Sequence, residues 1–392
     1  MSKHLHRFAS SRGAVVVALP FHLDEFISDW AGLRTPMRKS VPDDFSRDEW
    51  AYLMNFLSPE QLQRPFCEAF GSPATTERTI ISLARPRGTV GVWFPNNVSL
   101  LGPLILILLS LTGNRLLLKG GSRSNDLAGA FLNFALQHLE NGTLRDFLEH
   151  QVRYEVFEHG DPRHSRMLEE SDVRIVFGSD EAAASVHSAA SPLKGRGFSF
   201  VDRQSQAWIE SGAASDEVLS NLIHVFAIYG QTGCTSPHRV VLLGRTKQQA
   251  IELRDRIVGL WPKVLRLKPP IHVASANTLA LQWAAACGWE ATVAANRAAV
   301  IGAGPIELEP IDSPLFLPIS SASLDEAIEH LPANIQTLGH AFAVPSDRRW
   351  LELAATTNIK RLVPIARMHH FGPLWDGEHF WRQCFEEVDV DL

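Results

Sequence analysis

The spacing of apolar and polar positions predicts strands that alternate with helices from residue 88 onward. Short continuous apolar runs predict buried strands at 88–95, 114–120, 152–160 and 172–180. The most apolar segment, 98–114, predicts a buried helix after the first strand, and an amphipathic period predicts another helix at 124–142. This alternation is typical of a parallel sheet with helical crossover connections.

The same alternation returns in the second half of the chain. Residues 182–200 are rich in small side chains and indicate a loop. After them the pattern predicts a helix at 216–230, a strand at 239–244 and a helix at 246–261 with Thr246 as its cap. A chain of 392 residues is too long for one ordinary core, so we expect two domains.

Composition and charge exclude several classes of function. The apolar segment 98–114 is shorter than the roughly 20 residues that a membrane span needs. Net charge is -6 and no basic stripe is present, which excludes a typical nucleic-acid binder. The cysteines have neither metal-ligand spacing nor a compact disulfide pattern, and therefore favour a reducing, cytoplasmic location; they are Cys67, Cys234, Cys287 and Cys384.

Cys234 is the first candidate for chemistry. It lies in the stretch GQTGCTSPHRVVLLG, residues 230–244, between the predicted helix and strand. Its small neighbours leave the sulfur accessible and let a carbonyl carbon approach the backbone. A nucleophile and a packed structural thiol are both compatible with this stretch alone.

Three turns at the ends of predicted strands carry further candidates. Asn97 lies at a strand-to-helix turn, where its amide could donate to an oxyanion or simply cap the helix. Lys119, followed by two glycines, Ser122 and Arg123, suits a phosphate or a ribose hydroxyl, or else is a solvated strand end. The stretch 178–183 follows a strand and opens a helix, as a cofactor-contacting turn does.

Two other motifs do not carry a site. VIGAGP, residues 300–305, lacks the third glycine of a dinucleotide fingerprint, and its proline blocks an immediate helix. The stretch 368–381 is rich in acidic residues and histidines, among them His369, His370 and His379. Their spacing matches no standard ligand set, so we predict no metal.

Five segments, taken in chain order, resemble the aldehyde dehydrogenase superfamily: GTVGVWFPNNVSLLGPL, GNRLLLKGG, IVFGSDEAA, GQTGCTSP and SPLFLPISSASLDEAIEHL. Two stretches narrow the resemblance. GCTSPHRVVLLG and RLVPIARMHHFGPLWDG are similar to the fatty acyl reductases of bacterial luminescence, the acyl-CoA reductase (LuxC) type. The resemblance covers about residues 85–380, and the order of the segments is more specific than any one of them.

The resemblance implies an α/β fold with two Rossmann-like parallel-sheet domains and a cleft between them. It implies a lead-in and nicotinamide-cofactor domain at 1–225, a catalytic domain at 226–350 and a returning segment at 351–392. Subunits of this superfamily commonly form dimers or tetramers, and a partner in a biosynthetic complex is a further alternative.

The resemblance also implies roles for single residues. Cys234 is then the nucleophile and Asn97 the oxyanion donor. The implied cofactor-binding residues are Lys119, Ser122, Arg123, Gly178, Ser179 and Glu309. Glu309 stands one residue out of register with the glutamate that holds the nicotinamide ribose in relatives.

Departures from the superfamily pattern indicate the reaction. The region 194–208 lacks the glutamate that activates water in aldehyde dehydrogenases, and its one acid is Asp202. Without that base a thioester on Cys234 would hydrolyse slowly, which favours reduction of an acyl thioester over oxidation of an aldehyde. Ser99 also replaces the usual proline after the Asn-Val pair.

We therefore expect an NADPH-dependent reductase that converts an acyl-CoA or acyl-carrier-protein thioester to an aldehyde. NADPH is favoured because Ser122 and Arg123 stand where NAD-preferring relatives carry an acid that repels a 2′-phosphate. The alternatives are an oxidative NAD(P)-dependent dehydrogenase, a non-catalytic subunit and a thiol-dependent hydrolase. His224 and His238 are the nearby options for a proton donor, and the sequence does not choose between them.

Overall fold

The computed structural model describes residues 3–9, 13–73, 79–121, 127–158, 160–190, 195–228, 231, 233–244, 246–265, 269–313 and 315–391. The chain divides into two compact units. Unit 1 contains the residues up to Val201 and those from Phe371 onward, and unit 2 runs from Asp202 to His370. These divisions lie at 201/202 and 370/371, against the expected 225/226 and 350/351, because the segments 202–225 and 351–370 supply strands and helices of unit 2.

The strands of the first half are β1 (His4–Ala9), β2 (Ala14–Leu19), β3 (Ser72–Pro73), β4 (Ile80–Pro86), β5 (Thr89–Trp93), β6 (Arg115–Gly120), β7 (Val152–Val156), β8 (Val173–Gly178) and β9 (Arg196–Val201). Those of the second half are β10 (Gln204–Glu210), β11 (Pro237–Leu243), β12 (Glu290–Ala294), β13 (Ala299–Pro305), β14 (Phe316–Ala322), β15 (Ile335–Ala341), β16 (Arg361–Pro364) and β17 (Phe385–Asp389).

The helices of unit 1 are α1 (Leu23–Gly32), α2 (Arg34–Met37), α3 (Arg47–Phe56), α4 (Pro59–Phe70), α5 (Leu101–Ser110), α6 (Leu127–His138), α7 (Thr143–Gln151), α8 (Pro162–Glu170) and α9 (Asp180–His187). Those of unit 2 are α10 (Asp216–Ala227), α11 (Lys247–Val264), α12 (Ile271–Ala286), α13 (Leu324–Glu329) and α14 (Arg348–Thr356). Short 3-10 turns occur at Ser211–Ala213, Ala295–Arg297, Ile365–Arg367 and Arg382–Cys384.

Each unit contains a parallel sheet with the same strand order. In unit 1 the order is β7-β6-β5-β8-β9 and all neighbours are parallel. In unit 2 it is β14-β11-β10-β15-β16, extended by β13 and the antiparallel edge strand β12. Both follow the doubly wound 3-2-1-4-5 pattern, so the predicted alternation of strands and helices is confirmed in both halves. A separate mixed sheet in unit 1 has the order β17-β4-β2-β1-β3.

Alternate side chains of β10 explain how unit 2 buries both faces of its sheet. Ala207 and Ile209 pack under α10 and α11, whereas Trp208 points to the other face with residues of α13 and α14. A strand buried on both sides favours consecutive apolar residues, and in β10 the residues Ala207, Trp208 and Ile209 form such a run. The sheet therefore lies between two helical layers.

The apolar segment 98–114 forms α5 and is buried, as predicted. Every residue from Gly102 to Ser110 is buried. The last carbonyls of a helix lack partners within it, and here tryptophans contribute to this end of α5. Trp381 Nε1 donates to Leu108 O at 2.8 Å, and Trp30 Nε1 donates to Ser110 Oγ at 3.0 Å. In the parts of the chain that are described, no helix has both the length and the apolarity to span a bilayer.

The loop expected at 182–200 is wrong over most of its length. Residues up to His187 belong to α9, and Arg196–Val201 form β9, with 191–194 outside the described residues. Ser179 caps this helix, while Ala183 and Val186 bury its inner face. Alanine favours a helix whenever packing covers one face, so small side chains here did not mean a loop.

The bond between Trp381 and Leu108 yields a stability prediction. Trp381→Phe keeps a buried ring but leaves the Leu108 carbonyl unpaired, which we expect to cost about 1–3 kcal/mol beyond the loss of ring area. The control is Trp350→Phe, because Trp350 Nε1 is buried and has no partner among the described residues. Urea unfolding should show a larger loss for Trp381→Phe, and equal losses would contradict the assignment.

Candidate active site

In unit 1 the candidate residues gather at one edge of the parallel sheet. Asn97 follows β5, Lys119 is the penultimate residue of β6, and Gly178 ends β8. These strands are neighbours and parallel, so their carboxyl ends lie side by side. Ligands of doubly wound sheets bind outside these ends, at the point where the strand order reverses, which here is between β5 and β8.

Ser99 explains how this chain holds the Asn97 turn without the usual proline. Ser99 Oγ donates to Glu49 Oε1 at 2.9 Å, and Ser99 O accepts from Leu127 N at 3.4 Å. The other oxygen of Glu49 accepts from Ser46 N at 2.9 Å in the capping box that starts α3. The turn is thus fixed on two helices, while Asn97 itself is exposed.

Lys119 of β6 and Arg163 are two cationic side chains that lie near the same aromatic ring, that of Phe157. Lys119 Nζ donates to Gly120 O at 3.2 Å and stands 5.2 Å from the centre of the Phe157 ring. The Arg163 guanidinium stands 5.0 Å from the same ring and binds Asp161, whose pKa it lowers to about 2. Ser122 and Arg123, which we expect to bind the 2′-phosphate of NADPH, lie outside the described residues.

Gly178 and Ser179 form the predicted strand-to-helix turn. Gly178 has φ +154°, where a side chain is strained, and Ser179 Oγ accepts from Ala182 N at 3.4 Å as the cap of α9. Hydrogen bonding by the Ser179 hydroxyl is also the main reason that the pKa of Glu181 is lowered. The local geometry is therefore as expected, whereas cofactor binding by these two residues stays a prediction.

In unit 2 Cys234 lies in a tight turn at the amino ends of the parallel strands, whereas the candidates of unit 1 lie at the carboxyl ends. Ser236 N donates to Gly233 O at 2.9 Å, which makes Cys234 and Thr235 the central residues of the turn Gly233–Ser236. The turn directly precedes β11, so it lies at the amino ends of the parallel strands. Cys234 is partly buried.

Ser205, near the start of β10, fixes the carbonyl of the cysteine. Its hydroxyl donates to Cys234 O at 2.6 Å and accepts from Thr337 N of β15 at 3.3 Å. One hydroxyl therefore ties the turn to two neighbouring strands. Ser205 was not predicted from the sequence, because nothing in its local pattern separates it from other strand serines.

Gln231 holds the approach to the turn. Its Nε2 donates to Phe316 O, the first residue of β14, at 3.0 Å and lies 3.5 Å from Pro237 O. Its φ of +64° is uncommon for a residue with a side chain, and these hydrogen bonds stabilise it. Gln231, the glutamine of the segment GQTGCTSP, thus has a structural role, because its hydrogen bonds hold the approach to the turn.

His369 provides the other attachment of the turn. Its Nε2 donates to Val225 O of α10 at 2.6 Å, so its Nδ1 is the acceptor for the Thr235 hydroxyl at 2.7 Å. Burial lowers the pKa of His369 to about 4, and the charges of Arg361 and His370 act in the same direction. The ring is therefore neutral at physiological pH. The sequence singled out His369 only as a candidate metal ligand.

Glu309 is not brought beside the nucleophile turn within unit 2. It is exposed, and its carbonyl accepts from Trp289 Nε1 at 3.3 Å, near the carboxyl half of β13. The buried Arg239 holds the preceding loop by bonds to Ile306 O and Leu308 O. The role of Glu309 in binding a nicotinamide ribose stays a prediction.

The two histidines named as proton donors differ in environment. His224 is exposed on α10. His238 Nδ1 donates to Ser236 O at 3.0 Å, and burial lowers the pKa of His238, so its ring is neutral and has no second proton to give. Asp202, the one acid of the region 194–208, is exposed and has φ +44°.

Comparison with solved structures defines the class of the fold. An oxidoreductase from Marinobacter aquaeolei is 12% identical over 94% of this chain and 84% of its own, with a TM-score of 0.67. The glyceraldehyde-3-phosphate dehydrogenase GapN from Methanocaldococcus jannaschii, complexed with NADP, is 11% identical over 95% and 90%, with a TM-score of 0.65. Lactaldehyde dehydrogenase from Escherichia coli is 11% identical over 94% and 87%, with a TM-score of 0.63. The fold is that of the aldehyde dehydrogenases.

A match to a protein-family model places the chain in a narrower class than its fold does. A model of the acyl-CoA reductase (LuxC) family matches residues 23–380. None of the curated proteins matches the chain. The chain belongs to the acyl-CoA reductase (LuxC) family and is an enzyme of that class, which confirms the resemblance found in the sequence.

The lowered pKa of His369 predicts a pH dependence of stability. Between its ordinary value of 6.5 and its folded value of about 4, the unfolded chain binds a proton that the folded chain does not. This contribution to stability is thus present above pH 6.5 and is lost as pH falls towards 4. As the pH falls from 6.5 towards 4, we expect the free energy of unfolding to decrease less steeply for His369→Asn than for the natural protein.

The comparison uses denaturant titrations of both proteins at several pH values. Other histidines with lowered pKa values, such as His238 and His340, are common to both and cancel in the difference. Parallel curves for the two proteins would contradict the burial of a neutral His369.

Proposed function

We propose that this enzyme reduces an acyl thioester to an aldehyde with NADPH, through an acyl group carried on Cys234. The observation that carries the proposal is the turn Gly233–Ser236, where side chains from β10 and from the 365–370 region fix the backbone around the partly buried Cys234. The absence of a glutamate from residues 194–208 supports reduction over aldehyde oxidation, since no water-activating base stands there.

The first step of the proposed reaction is acyl transfer. The Cys234 thiolate attacks the carbonyl carbon of an acyl-CoA or acyl-carrier-protein thioester, and the carrier leaves as its thiolate. One thioester replaces another, so the step is nearly isoenergetic. The Cys234 backbone N–H, whose peptide is held because Gly233 O accepts from Ser236 N, and the Asn97 amide are the proposed donors to the oxyanion.

Unit 1 has residues that fit a nicotinamide dinucleotide. The sheet edge beside Asn97 offers the Lys119 ammonium for ribose hydroxyls or phosphate, and Gly178 lets a ligand approach the backbone. The N-terminus of α9, capped by Ser179, adds backbone N–H groups. When bound, the reduced nicotinamide supplies the hydride that converts the acyl group on Cys234 to a thiohemiacetal.

The release of product again depends on the protein. The thiohemiacetal oxygen loses its proton as the carbon–sulfur bond breaks, giving free aldehyde and the Cys234 thiolate. Overall the reaction consumes one proton per aldehyde formed, and this proton ends on the carrier, which left as its thiolate and becomes a thiol. Since His238 already donates its Nδ1 proton to Ser236 O, we propose that solvent water delivers the consumed proton.

Cys234→Ala should abolish covalent acylation. Intact mass after mixing with a panel of acyl-CoAs, without NADPH, should show a single adduct on the natural protein and none on the variant. Cys287→Ala is the control, because Cys287 is an exposed thiol, and Cys67→Ala is a second control, because Cys67 is partly buried like Cys234 although burial raises its pKa. Cys384 is unreactive by comparison, since burial raises its pKa to about 12. An adduct that persists in Cys234→Ala would exclude this residue as nucleophile.

The same experiment separates the alternatives. An adduct that disappears as aldehyde on addition of NADPH supports the reductase, and one that decays to free acid supports a thiol hydrolase. Acid production from an aldehyde with NAD would favour an oxidative dehydrogenase. No adduct with acyl-CoAs or with acyl-carrier proteins would favour a non-catalytic subunit.

The preference for NADPH rests on Ser122 and Arg123 and is tested by two variants. Arg123→Ala should lower kcat/KM for NADPH by roughly tenfold and leave kcat/KM for NADH nearly unchanged, because only NADPH carries the 2′-phosphate. Lys119→Ala is the matched comparison, and we expect it to weaken both cofactors by similar factors. Equal or better use of NADH by the natural protein would overturn the preference.

A further inference from the structure

The residue directly after the nucleophile is tied to a histidine far away in the sequence. Thr235 is buried, and its hydroxyl donates to His369 Nδ1 at 2.7 Å across 134 residues of sequence. The other ring nitrogen of His369 donates to Val225 O at 2.6 Å. The ring thus joins the nucleophile turn to α10, the helix that precedes it in the chain.

We propose that His369 is a positioning residue for acyl transfer, because it accepts the Thr235 hydroxyl and so fixes the orientation of the peptide that links Cys234 to Thr235. It acts on the thiol and the neighbouring backbone through this bond, without contact to the substrate. The inference rests on the proposed function, because it assigns a role in the reaction at Cys234.

The segment that carries His369 is itself rigidly held. Arg361 of β16 donates to the carbonyls of Met368 at 3.0 Å, His370 at 3.0 Å and Arg367 at 3.4 Å. Arg361 also donates to Thr337 Oγ1 at 3.2 Å, and Thr337 is the residue whose N–H binds Ser205. The two attachments of the turn, through Ser205 and through His369, therefore meet at Thr337.

The packing of Met368 also fixes the segment that carries His369. Met368 is fully buried and occupies the space over Gly339 of β15, where an added Cβ would lie 2.2 Å from the Met368 Sδ. A side chain at Gly339 would have to displace Met368 and with it the neighbouring His369. The histidine ring can hold the turn in place because its own backbone has little freedom to move.

Only the neutral ring makes both bonds in the observed sense. Nε2 carries the proton that Val225 O accepts, which leaves Nδ1 with the lone pair that Thr235 needs. The charged groups that face the ring, Arg361 and His370, disfavour a second proton, as burial does. The attachment therefore persists throughout the neutral pH range.

Two substitutions of His369 separate its two bonds. An asparagine amide oxygen reaches the position of Nδ1 and can accept from Thr235, whereas a glutamine amide reaches the position of Nε2 and can donate to Val225 O. We expect His369→Gln to slow acylation of Cys234 at saturating thioester roughly tenfold, the effect of one hydrogen bond. His369→Asn should recover most of that loss, and half-saturation by thioester should change little in either.

Thr235 supplies the independent check. Thr235→Val, which removes the hydroxyl and keeps the shape, should slow acylation about as much as His369→Gln, and the double variant should be no slower than either single one. Thr235→Ser retains a hydroxyl and should be faster than Thr235→Val. His370→Gln, an exposed neighbour, is the control for changes in this segment. Thermal unfolding of each variant reports damage to the fold.

The outcomes distinguish this inference from the proposed function. If the natural protein acylates and His369→Gln matches it, His369 has no positioning role. If Thr235→Val is slow and His369→Gln is not, the Thr235 hydroxyl acts alone, and the inference is likewise overturned. If slower acylation is matched in each variant by a smaller folded fraction, the bond is merely structural. If the natural protein itself is never acylated, the proposed function falls and this inference with it.

Discussion

The Ser205 hydroxyl fixes the edge of the sheet at which the candidate nucleophile, Cys234, lies. It donates to Cys234 O and accepts from Thr337 N, and so joins the turn before β11 to the starts of β10 and β15. The proposed oxyanion donor, Cys234 N–H, lies in the adjacent peptide of the same turn, and the bond from Ser236 N to Gly233 O orients this peptide before the reaction begins. The bonds of Gln231 to Phe316 O and of Thr235 to His369 add to this fixation from other directions.

The two sheets of the same strand order carry their candidate residues at opposite ends. In unit 1 Asn97, Lys119 and Gly178 lie at the carboxyl ends of β5, β6 and β8, where doubly wound sheets bind ligands. In unit 2 the cysteine turn precedes β11 and lies at the amino ends. A turn at that edge can be clamped by polar side chains near the starts of neighbouring strands, and Ser205 does this. The common topology therefore does not predict where the chemistry occurs.

The sequence predicted what local patterns determine. Apolar runs predicted the buried helix α5, the strands β5, β6, β7 and β8 of unit 1 and the strand β11 of unit 2, and the order of short segments indicated the family. It did not predict the contacts between Ser99 and Glu49, Ser205 and Cys234, or Thr235 and His369. Each is one hydrogen bond between polar residues far apart in the chain, and such a bond leaves no period or motif behind. The loop expected at 182–200 was wrong because packing decided the structure there.

The environment of the nucleophile suits chemistry that depends on position more than on proton transfer. Exchange of one thioester for another needs no strong base, and the histidines bonded to the turn, His238 and His369, are both held neutral by burial. Each uses one N–H to bind a backbone carbonyl. Asp202, the acid nearest in sequence to the missing glutamate, is exposed. A site built in this way gives water little help in attacking an acyl-cysteine, which is what the proposed reduction requires.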